Sequence, residues 1–414
     1  MKQLLVISNN VLSRTNNNGK TIYSFIDGLE DVFVNQLFFS GEVPRIEGFS
    51  YYRISDKDIL SGIFDKKKRG KIVNPDEERN INDDYSIKNA VGRNEFTLIA
   101  REMLWHRKWL SPSLLEWLDN IKPEIILFVA GDAIFAYDIC IFIQERYHSR
   151  LTVYVTDDYV VPRKHESFLH SGRRNIIKRK LSSVLKISKC FYTISQSMQK
   201  EYKALFGKDS FLAVNMSSDL KDANMSRNND EIILIYAGSF YFGRAEVLHR
   251  LGLAIRSYND KHETKAKLMM YSNSEPSNEI KRIICVSEAS EYGGSLNCEQ
   301  LKLHLNMADI LVFVESFEND QIEKVKYSLS TKVPEYMSVG KPILALGPCC
   351  IGSMEYLSDV AICVNNPETI LDNLIILLDS KEKQIEYGRK SREKYLKNHN
   401  IDELKKDFIR NVIG

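Results

Sequence analysis

Hydroxyl, ammonium and carboxylate groups stand close together near position 330, where a short helix is predicted to begin. Ser330, Thr331 and Lys332 lie at its start, and Glu335 lies one turn into it. Free backbone N–H groups at a helix start attract phosphate, and the hydroxyls and the ammonium add donors and positive charge. A carboxylate accepts hydrogen bonds, so Glu335 suits the hydroxyls of a sugar. The cluster indicates a site for a sugar phosphate or a nucleotide; the alternative is an ordinary capped surface helix.

A second phosphate-binding pattern stands near the amino terminus. Gly19-Lys20-Thr21 lies between a predicted strand and a predicted helix, as it would in a P-loop. A P-loop also needs a glycine five positions earlier, where this chain has Arg14, and a bulky residue there would spoil the nest of N–H groups. A P-loop nucleoside triphosphatase is therefore the weaker alternative, and a simple helix start capped by Asn18 is another.

The elements that must position these groups follow an alternating pattern. Short apolar runs alternate with amphipathic stretches, which predicts an α/β fold with parallel sheets and crossover helices. Polar residues dominate positions 216–231, and a second α/β pattern starts directly after them. We therefore predict an N-terminal Rossmann-like domain over residues 1–215, a linker over 216–231 and a C-terminal domain over 232–394. The charged segment 57–94 predicts an insertion or a mobile loop.

Each predicted domain has its own set of strands. Those of the first domain are Leu4–Ile7, Asn35–Phe39, Phe49–Ile54, Ile125–Val129, Leu151–Val155 and Cys190–Ile194. Those of the second are Ile232–Tyr236, Lys267–Tyr271, Ile310–Val314, Ile343–Leu346 and Val360–Val364. Ligands of open parallel sheets bind at the carboxyl ends of the strands, so we expect the site residues in the loops that follow them.

The bulk composition excludes several classes of protein. The chain has 414 residues, 43% hydrophobic and 27% charged, which is ordinary for a globular protein of two or three domains. A net charge of +2 gives no global field for nucleic acid. The seven cysteines include no CxxC pair, which favours reduced thiols in the cytoplasm. The longest apolar stretch, Ile125–Ile143, is interrupted by Asp132 and Asp138, and the amino terminus turns polar too early for a signal peptide, so we expect a cytoplasmic protein.

Residues 328–347, with the sequence SLSTKVPEYMSVGKPILALG, resemble the nucleotide-sugar signature of GT-B glycosyltransferases, specifically those similar to family 4. Members of that family often read S-x-S-T-K-x-x-E-Y-x-x-x-G-K-P-I-L-A. The resemblance implies that Glu335 binds the nucleotide ribose and that residues 330–332 touch the diphosphate. Many members carry a second Glu eight positions earlier, where this chain has Tyr327.

Two further segments of the second domain resemble the same family. Residues 235–244, with the sequence IYAGSFYFGR, match a segment in which a basic residue neutralises the leaving diphosphate. Arg244 matches that residue, Gly238 matches the glycine that allows close backbone approach, and Ser239 is expected to help. Fixed donors aimed at developing negative charge lower the barrier. The strand that ends at Glu315 fits the family pattern A-D-x-L-V…E-S, which implies a carboxylate near the donor sugar. The alternative for Arg244 is a solvated arginine at a helix start, and the alternative for Glu315 is a surface carboxylate at a strand end.

Adjacent carboxylates end a strand of the first domain. Relatives often have a His-Asp or Asp-Asp pair at the equivalent place, so Asp157 and Asp158 are candidates for orienting the acceptor hydroxyl or assisting proton transfer. Side chains alternate along a strand, so only one of the two readily faces a given direction, and a helix cap or a turn carboxylate is the alternative. The resemblance also implies that Gly19 lets the backbone approach the donor phosphate or the acceptor.

A basic amphipathic segment runs from residue 163 to residue 189. It holds nine basic residues against one acid, Glu166, and an apolar face. Such a helix can lie on an anionic membrane surface, which would bring the protein to lipid-linked acceptors. The alternative is a helix with a solvated basic face. Nucleic acid is disfavoured because no aromatic platform accompanies the charge.

Together these patterns predict a GT-B enzyme: two Rossmann-like domains that face each other across a central cleft, with the last helix, about 395–414, packed on the first domain, as the resemblance implies. It would transfer a sugar, with retention of configuration, from a UDP- or GDP-sugar to a hydroxyl of a glycan or lipid-linked acceptor in surface polysaccharide or glycoconjugate synthesis. Asp157, Asp158 and Glu315 are the catalytic candidates. No His/Asp/Cys cluster has ligand spacing, so no metal or other cofactor is predicted. A nucleotide-binding subunit without activity is a further alternative.

Overall fold

The computed structural model describes residues 1–14, 17–75, 95–164, 166–213, 219–222, 231–399 and 401–414. Packing divides the chain into unit 1, residues 1–213 with 402–414, and unit 2, residues 214–401. Each unit is built on one largely parallel sheet with helices on its faces. The predicted α/β class is therefore confirmed.

Unit 1 contains an eight-stranded sheet in the order β4-β3-β2-β1-β5-β6-β7-β8, parallel except for the pair β3 and β4. Its strands are β1 (Lys2–Ser8), β2 (Val32–Phe38), β3 (Ser50–Arg53), β4 (Lys71–Ile72), β5 (Ile125–Ala130), β6 (Arg150–Val155), β7 (Cys190–Thr193) and β8 (Phe211–Leu212). The helices between them are α1 (Asn17–Ile26), α2 (Asp56–Ser61), α3 (Glu95–Trp105), α4 (Pro112–Ile121), α5 (Ile134–Tyr147), α6 (Phe168–Ile187) and α7 (Gln196–Phe206), with a 3₁₀ turn at Lys66–Lys68.

Unit 2 contains a six-stranded parallel sheet in the order β11-β10-β9-β12-β13-β14. Its strands are β9 (Glu231–Ala237), β10 (Lys265–Tyr271), β11 (Ser290–Tyr292), β12 (Ile310–Val314), β13 (Ile343–Leu346) and β14 (Ile362–Val364). Its helices are α8 (Arg244–Asn259), α9 (Asn278–Ile284), α10 (Cys298–Met307), α11 (Asn319–Val325), α12 (Lys332–Val339), α13 (Gly352–Leu357), α14 (Ile370–Leu378) and α15 (Lys381–Asn398), with a 3₁₀ turn at Pro367–Thr369.

The central strands are apolar along their whole length because helices cover both faces of each sheet. Every residue of β12 is buried, and Leu4, Leu5, Val6 and Ile7 of β1 are fully buried. Such strands show no alternation in the sequence, so short continuous apolar runs were the signal that located them.

The order of strands marks one place on each sheet where a ligand fits. It reverses between β1 and β5 in unit 1 and between β9 and β12 in unit 2, so the crossover helices leave in opposite directions there. Ligands of open α/β sheets bind outside the carboxyl ends of the strands at such a reversal. The loops after β9 and β12 are therefore the expected location of a ligand-binding site in unit 2.

The carboxyl-terminal segment, α16 (Ile401–Phe408) with the turn Ile409–Ile413, completes unit 1. The ring of Phe408 packs against Phe25 and Tyr192, at centroid distances of 5.1 and 6.2 Å. Lys2 Nζ donates to the carbonyl of Ile413 at 2.7 Å, and Arg150 Nη2 donates to the carbonyl of Val412 at 2.8 Å. This segment fills part of the core of unit 1 and binds the start of β1.

Two predictions about connecting segments have structural outcomes. The segment 57–94 was predicted as an insertion or a mobile loop, but part of it is regular: most of α2, a 3₁₀ turn and β4 lie in residues 57–72, and 76–94 lie outside the described residues. Most of the predicted linker 216–231 also lies outside them, and Glu231 already belongs to β9. No helix among the described residues is long and apolar enough to cross a membrane.

Candidate functional site in unit 2

Three loops of unit 2 bring the predicted donor-binding residues together. The loop after β9 carries Gly238, the loop after β12 begins with Glu315, and the turn before α12 leads into Lys332. β9 and β12 are neighbours in the sheet at the reversal of strand order. The sequence-predicted residues of unit 2 therefore lie at one edge of one sheet.

The ammonium of Lys332 lies directly over the backbone of Gly238. A Cβ atom at position 238 would stand 2.5 Å from Lys332 Nζ and 2.7 Å from the hydroxyl of Tyr236. Real Cβ atoms do not approach so closely, so a side chain here would displace the ammonium. Gly238 N–H donates to the carbonyl of Tyr271 at 2.8 Å, which fixes the backbone at this point. The glycine is required for the close approach of Lys332.

Arg244 and Glu315 form a buried ion pair across the same edge. Arg244 Nη2 and Nε donate to Glu315 Oε2 at 2.8 and 3.2 Å, and both side chains are largely buried. Burial raises the pKa of Glu315, and the charges of Arg244 and Lys332 oppose that rise. Glu315 thus holds the guanidinium in place. The structure brings together the predicted phosphate-binding arginine and the predicted sugar-binding carboxylate in direct contact, which the sequence did not reveal.

A glycine makes this approach of α8 to β12 possible. Gly243 caps α8 with a left-handed φ of 73°, and a Cβ atom there would overlap the hydroxyl of Ser316. Phe242 before it also has a positive φ of 61°, which is uncommon outside glycine and costs free energy. Its exposed ring stands 5.9 Å from the guanidinium carbon of Arg244. The strained turn places Arg244 at the first position of α8, beside Glu315.

Lys332 carries a perturbed charge. Burial, and then the charge of Arg244, lower the pKa of its ammonium to about 8, and the carboxylates of Glu315 and Glu335 act in the opposite direction. No described side chain or carbonyl accepts a hydrogen bond from Nζ. A desolvated ammonium with donors to spare is stabilised by an anion that accepts from it, because the anion supplies both charge and acceptors.

The remaining predicted residues of the cluster surround the start of α12. The hydroxyl of Ser330 accepts from the N–H of Lys332 at 3.4 Å, and Thr331 is exposed. Glu335 is half-buried in the first turn of the helix. The amide of Ser330 donates to the hydroxyl of Ser353 on α13 at 2.9 Å, which anchors the turn from below. The hydroxyls and the carboxylate thus have access to solvent beside Lys332.

Tyr336, for which the sequence indicated no role, positions α12. The amide of Ala237, at the end of β9, donates to the hydroxyl of Tyr336 at 3.0 Å. Tyr336 is fully buried and lies one position after Glu335. This bond ties the helix that carries Lys332 and Glu335 to the strand that leads into Gly238. The only signal in the sequence was the tyrosine next to the carboxylate, which by itself does not identify a partner.

The predicted residues of unit 1 lie apart from this cluster in the chain. Asp158 accepts from the hydroxyl of Tyr202 at 2.9 Å and from the amides of Val160 and Val161, both at 3.2 Å. Burial raises its pKa, and these hydrogen bonds oppose the rise. These contacts are typical of a carboxylate that stabilises a turn, which was the alternative to a catalytic role for Asp158. Asp157 is half-buried, two residues after the end of β6.

Gly19 lies inside α1 rather than in a loop before it. A Cβ atom at this position would overlap the carbonyl oxygen of Val11, so the glycine lets the helix pack closely on that segment. In a P-loop, the equivalent glycine would present its N–H group to phosphate from a loop. The geometry accounts for Gly19 by packing and gives no support to the P-loop alternative.

The basic segment forms α6, and several of its charges are already neutralised. Arg174 pairs with Glu166, and Lys180 pairs with Asp138. Arg173 donates to Glu102 at 3.2 Å and also contacts the carbonyl of Asp132. Glu166 belongs to the segment itself, whereas Asp138, Glu102 and Asp132 come from other parts of unit 1, so the sequence of the segment did not show them. Arg179 and Lys186 are exposed on the helix.

Two other features of unit 2 bear on ligands. A cavity of about 850 Å³ opens at the amino ends of β9 and β10, the sheet edge opposite to Gly238, and Lys267 and Glu291 in its lining pair at 2.7 Å. Its distance from the strand ends at the reversal leaves it outside the candidate site. Across the described part of the chain, no group of three His, Cys, Asp or Glu side chains could hold a metal ion.

The chain matches no protein-family model and no curated protein in sequence. In fold it is similar to HepE of Anabaena, solved with UDP (TM-score 0.63, 9% identity, 99% of each chain covered). It is similar to an α,α-trehalose-phosphate synthase (UDP-forming) of Burkholderia vietnamiensis (TM-score 0.62, 11% identity, 99% of each chain). It is also similar to the trehalose-6-phosphate synthase OtsA (TM-score 0.64, 11% identity, 99% of each chain). The similarity extends over nearly the whole chain, and the GT-B fold predicted from the sequence is confirmed.

Proposed function

We propose that the protein is a glycosyltransferase that uses a nucleotide-sugar donor, with the donor bound at the carboxyl edge of the unit 2 sheet. One observation carries the proposal: at the reversal of strand order, the ammonium of Lys332 lies against the backbone of Gly238 with no acceptor among the described residues. A diphosphate supplies what this ammonium lacks. HepE was solved with UDP, which supports a uridine nucleotide as the first ligand to test.

The cluster suggests a division of roles on the donor. Lys332 and Arg244 contact the diphosphate, with help from the polar groups of Ser239, Ser330 and Thr331. Glu335, half-buried in the first turn of α12, accepts hydrogen bonds from the ribose. These assignments keep those of the sequence motif, and the position of the Lys332 ammonium, in the space that a side chain at Gly238 would fill, supports the first of them.

Glu315 receives a different role from the one the motif implied. Its carboxylate is the partner of Arg244 and is only 5% exposed, which suits it to hold the guanidinium rather than to reach a sugar. Preorganised positive groups stabilise a leaving diphosphate without reorganisation at the moment of reaction. We therefore propose that Glu315 positions Arg244. The two positive groups, Arg244 and Lys332, would together fulfil the role that a metal ion has in other transferases.

The finer features of the proposal come from the motif. They are membership of family 4, retention of configuration through an oxocarbenium-like transition state, and an acceptor that is a glycan or a lipid-linked sugar in surface polysaccharide or glycoconjugate synthesis. Unit 1 would bind the acceptor, with Asp157 as the carboxylate nearest in role to a proton acceptor. Asp158 is the weaker candidate because three protein donors already use it. A cytoplasmic location with α6 on the membrane is part of the same hypothesis.

A thermal-shift screen of nucleotides and nucleotide sugars tests the function directly. A ligand that binds only the folded protein raises its midpoint by mass action, so UDP, GDP and their sugars are compared with ATP and AMP at equal concentration. We expect one nucleoside diphosphate and its sugars to stabilise the protein. In a separate activity assay, the protein should release that nucleoside diphosphate from the sugar donor when an acceptor is present. Binding without turnover of any donor would favour the non-catalytic subunit. Magnesium-dependent ATP hydrolysis lost in Lys20→Ala would favour the P-loop alternative.

A further inference from the structure

A segment of unit 1 outside the candidate site exposes apolar side chains beside lysines. The segment 60–72, here called the basic turn, begins with the last two residues of α2 and ends in the edge strand β4. Phe64 is 99% exposed, and Leu60, Ile63 and Ile72 are each about half exposed, at 49%, 45% and 56%. Single exposed apolar residues are normal in proteins, but a group of this density within one segment marks a contact surface.

The basic turn carries a strong excess of positive charge. It contains five basic residues against a single acid, Asp65. Lys66, Lys67 and Lys68 are all exposed on the 3₁₀ turn, and none of them forms an ion pair with a described residue. The carboxylate of Asp65 is used locally, because it accepts from the amide of Lys67 at 3.0 Å. Three adjacent ammonium groups therefore face solvent beside an exposed phenylalanine.

The basic turn is held in shape from inside. Arg69 is buried, and its Nε donates to the carbonyl of Gly62 at 2.7 Å. The side chain of Arg69 occupies the space where a Cβ atom of residue 62 would stand, so the chain closes tightly around it. The helix α2, which leads into the basic turn, is capped at its amino end by reciprocal hydrogen bonds between Ser55 and Asp58. Presentation on a preformed turn lowers the entropy lost when the surface binds.

We propose that the basic turn docks the protein onto an anionic lipid surface. Phe64 and its apolar neighbours would enter the boundary between headgroups and acyl chains, and Lys66, Lys67 and Lys68 would contact lipid phosphates. A protein partner fits less well, because protein interfaces are depleted in lysine. The surface differs from α6, where Arg173, Arg174 and Lys180 are engaged in ion pairs. The proposal does not depend on the donor site.

Co-sedimentation of the full chain with lipid vesicles tests the proposal. The vesicles are phosphatidylcholine alone or phosphatidylcholine with about a third of phosphatidylglycerol. We expect binding only to the anionic vesicles and weaker binding as salt rises, because salt screens exposed charges. Each lysine near an anionic surface contributes roughly a fivefold factor in affinity, so the triple variant K66E/K67E/K68E should bind at least about a hundredfold more weakly. Phe64→Ser should also weaken binding.

Matched variants in unit 2 separate this surface from a general effect of charge or hydrophobicity. The triple K261E/K383E/K397E changes the same number of exposed lysines, and Ile385→Ser removes an apolar side chain that is 65% exposed. These controls should bind as wild type does, and unchanged melting temperatures show that every variant is folded. Equal binding to neutral and anionic vesicles would overturn the proposal. Equal binding by K66E/K67E/K68E and its control would overturn it as well.

Discussion

At the scale of single residues, the ammonium of Lys332 is the feature from which most of the proposed chemistry follows. It has a pKa of about 8, lowered first by burial and then by Arg244. An anion that binds beside it stabilises the charged form and raises that pKa. Ligand binding is therefore coupled to the protonation of this one group.

This coupling predicts how UDP affinity depends on pH. The protonated form of Lys332 predominates below about pH 8, so affinity should be nearly constant there and should fall above it, approaching about tenfold per pH unit. Titration calorimetry between about pH 7 and pH 9.5 measures the profile. In Lys332→Arg the side chain stays charged throughout, so the break near pH 8 should vanish; a break that persists in this variant would assign it to another group.

The contact between Gly238 and Lys332 gives a second prediction. In Gly238→Ala, the new methyl group would stand 2.5 Å from Nζ, so the ammonium must move away and UDP should bind at least about tenfold more weakly. Crowding of Tyr236 adds a loss of stability of about 1–3 kcal/mol, measured by denaturant unfolding. Gly172→Ala is the control, because its Cβ would meet no atom within 4 Å, and UDP affinity should not change. Equal affinities in both variants would contradict the proposed contact.

At the scale of elements, the position of α12 relative to β9 determines whether the cluster exists. The hydroxyl of Tyr336 is the partner of the buried amide of Ala237. In Tyr336→Phe that amide loses its partner, which should cost about 1–3 kcal/mol of unfolding free energy and also weaken UDP binding. Tyr387→Phe is the control, since no described residue forms a hydrogen bond with its hydroxyl. A loss of stability without any loss of UDP affinity would show that α12 does not need this anchor to bind the ligand.

The sequence allowed the position of each site element to be predicted better than its contacts. Apolar runs located β9 and β12, and Gly238 and Glu315 follow directly after these strands, where parallel sheets bind ligands. The pairing of Arg244 with Glu315 depends on where α8 starts relative to β12, which no local pattern encodes. The ion pairs of α6 with Glu102 and Asp138 are equally non-local. The two-residue strands β4 and β8 are too short to show a period, so they were not predicted.

At the scale of the whole molecule, the carboxyl-terminal segment belongs to the core of unit 1 although most of the chain before it belongs to unit 2. Phe408 contacts the rings of Phe25 and Tyr192 and is 4% exposed. The chain therefore cannot complete unit 1 until its last residues are present.

Removal of that ring should destabilise unit 1 selectively. Phe408→Ala should cost about 3–5 kcal/mol, as large core truncations do, while Ile409→Ala, at a position 40% exposed, should cost much less. Scanning calorimetry with and without UDP assigns the transitions, because UDP should raise only that of unit 2. If Phe408→Ala lowers the transition that UDP raises and leaves the other unchanged, the assignment of the segment to unit 1 is wrong.

The most direct test of the donor site is titration of UDP and GDP into two kinds of variant, one that changes the proposed ribose contact and one that changes the proposed diphosphate contact. Glu335→Ala should weaken the preferred nucleotide at least about tenfold through loss of the ribose contact, and Arg244→Ala should do so through loss of charge at the diphosphate. Because Arg244→Ala leaves Glu315 buried without its partner, the double variant R244Q/E315Q is measured beside it, and Arg250→Ala on the exposed side of α8 is the control. The site is misplaced if folded Glu335→Ala, Arg244→Ala and R244Q/E315Q bind UDP and GDP as tightly as wild type.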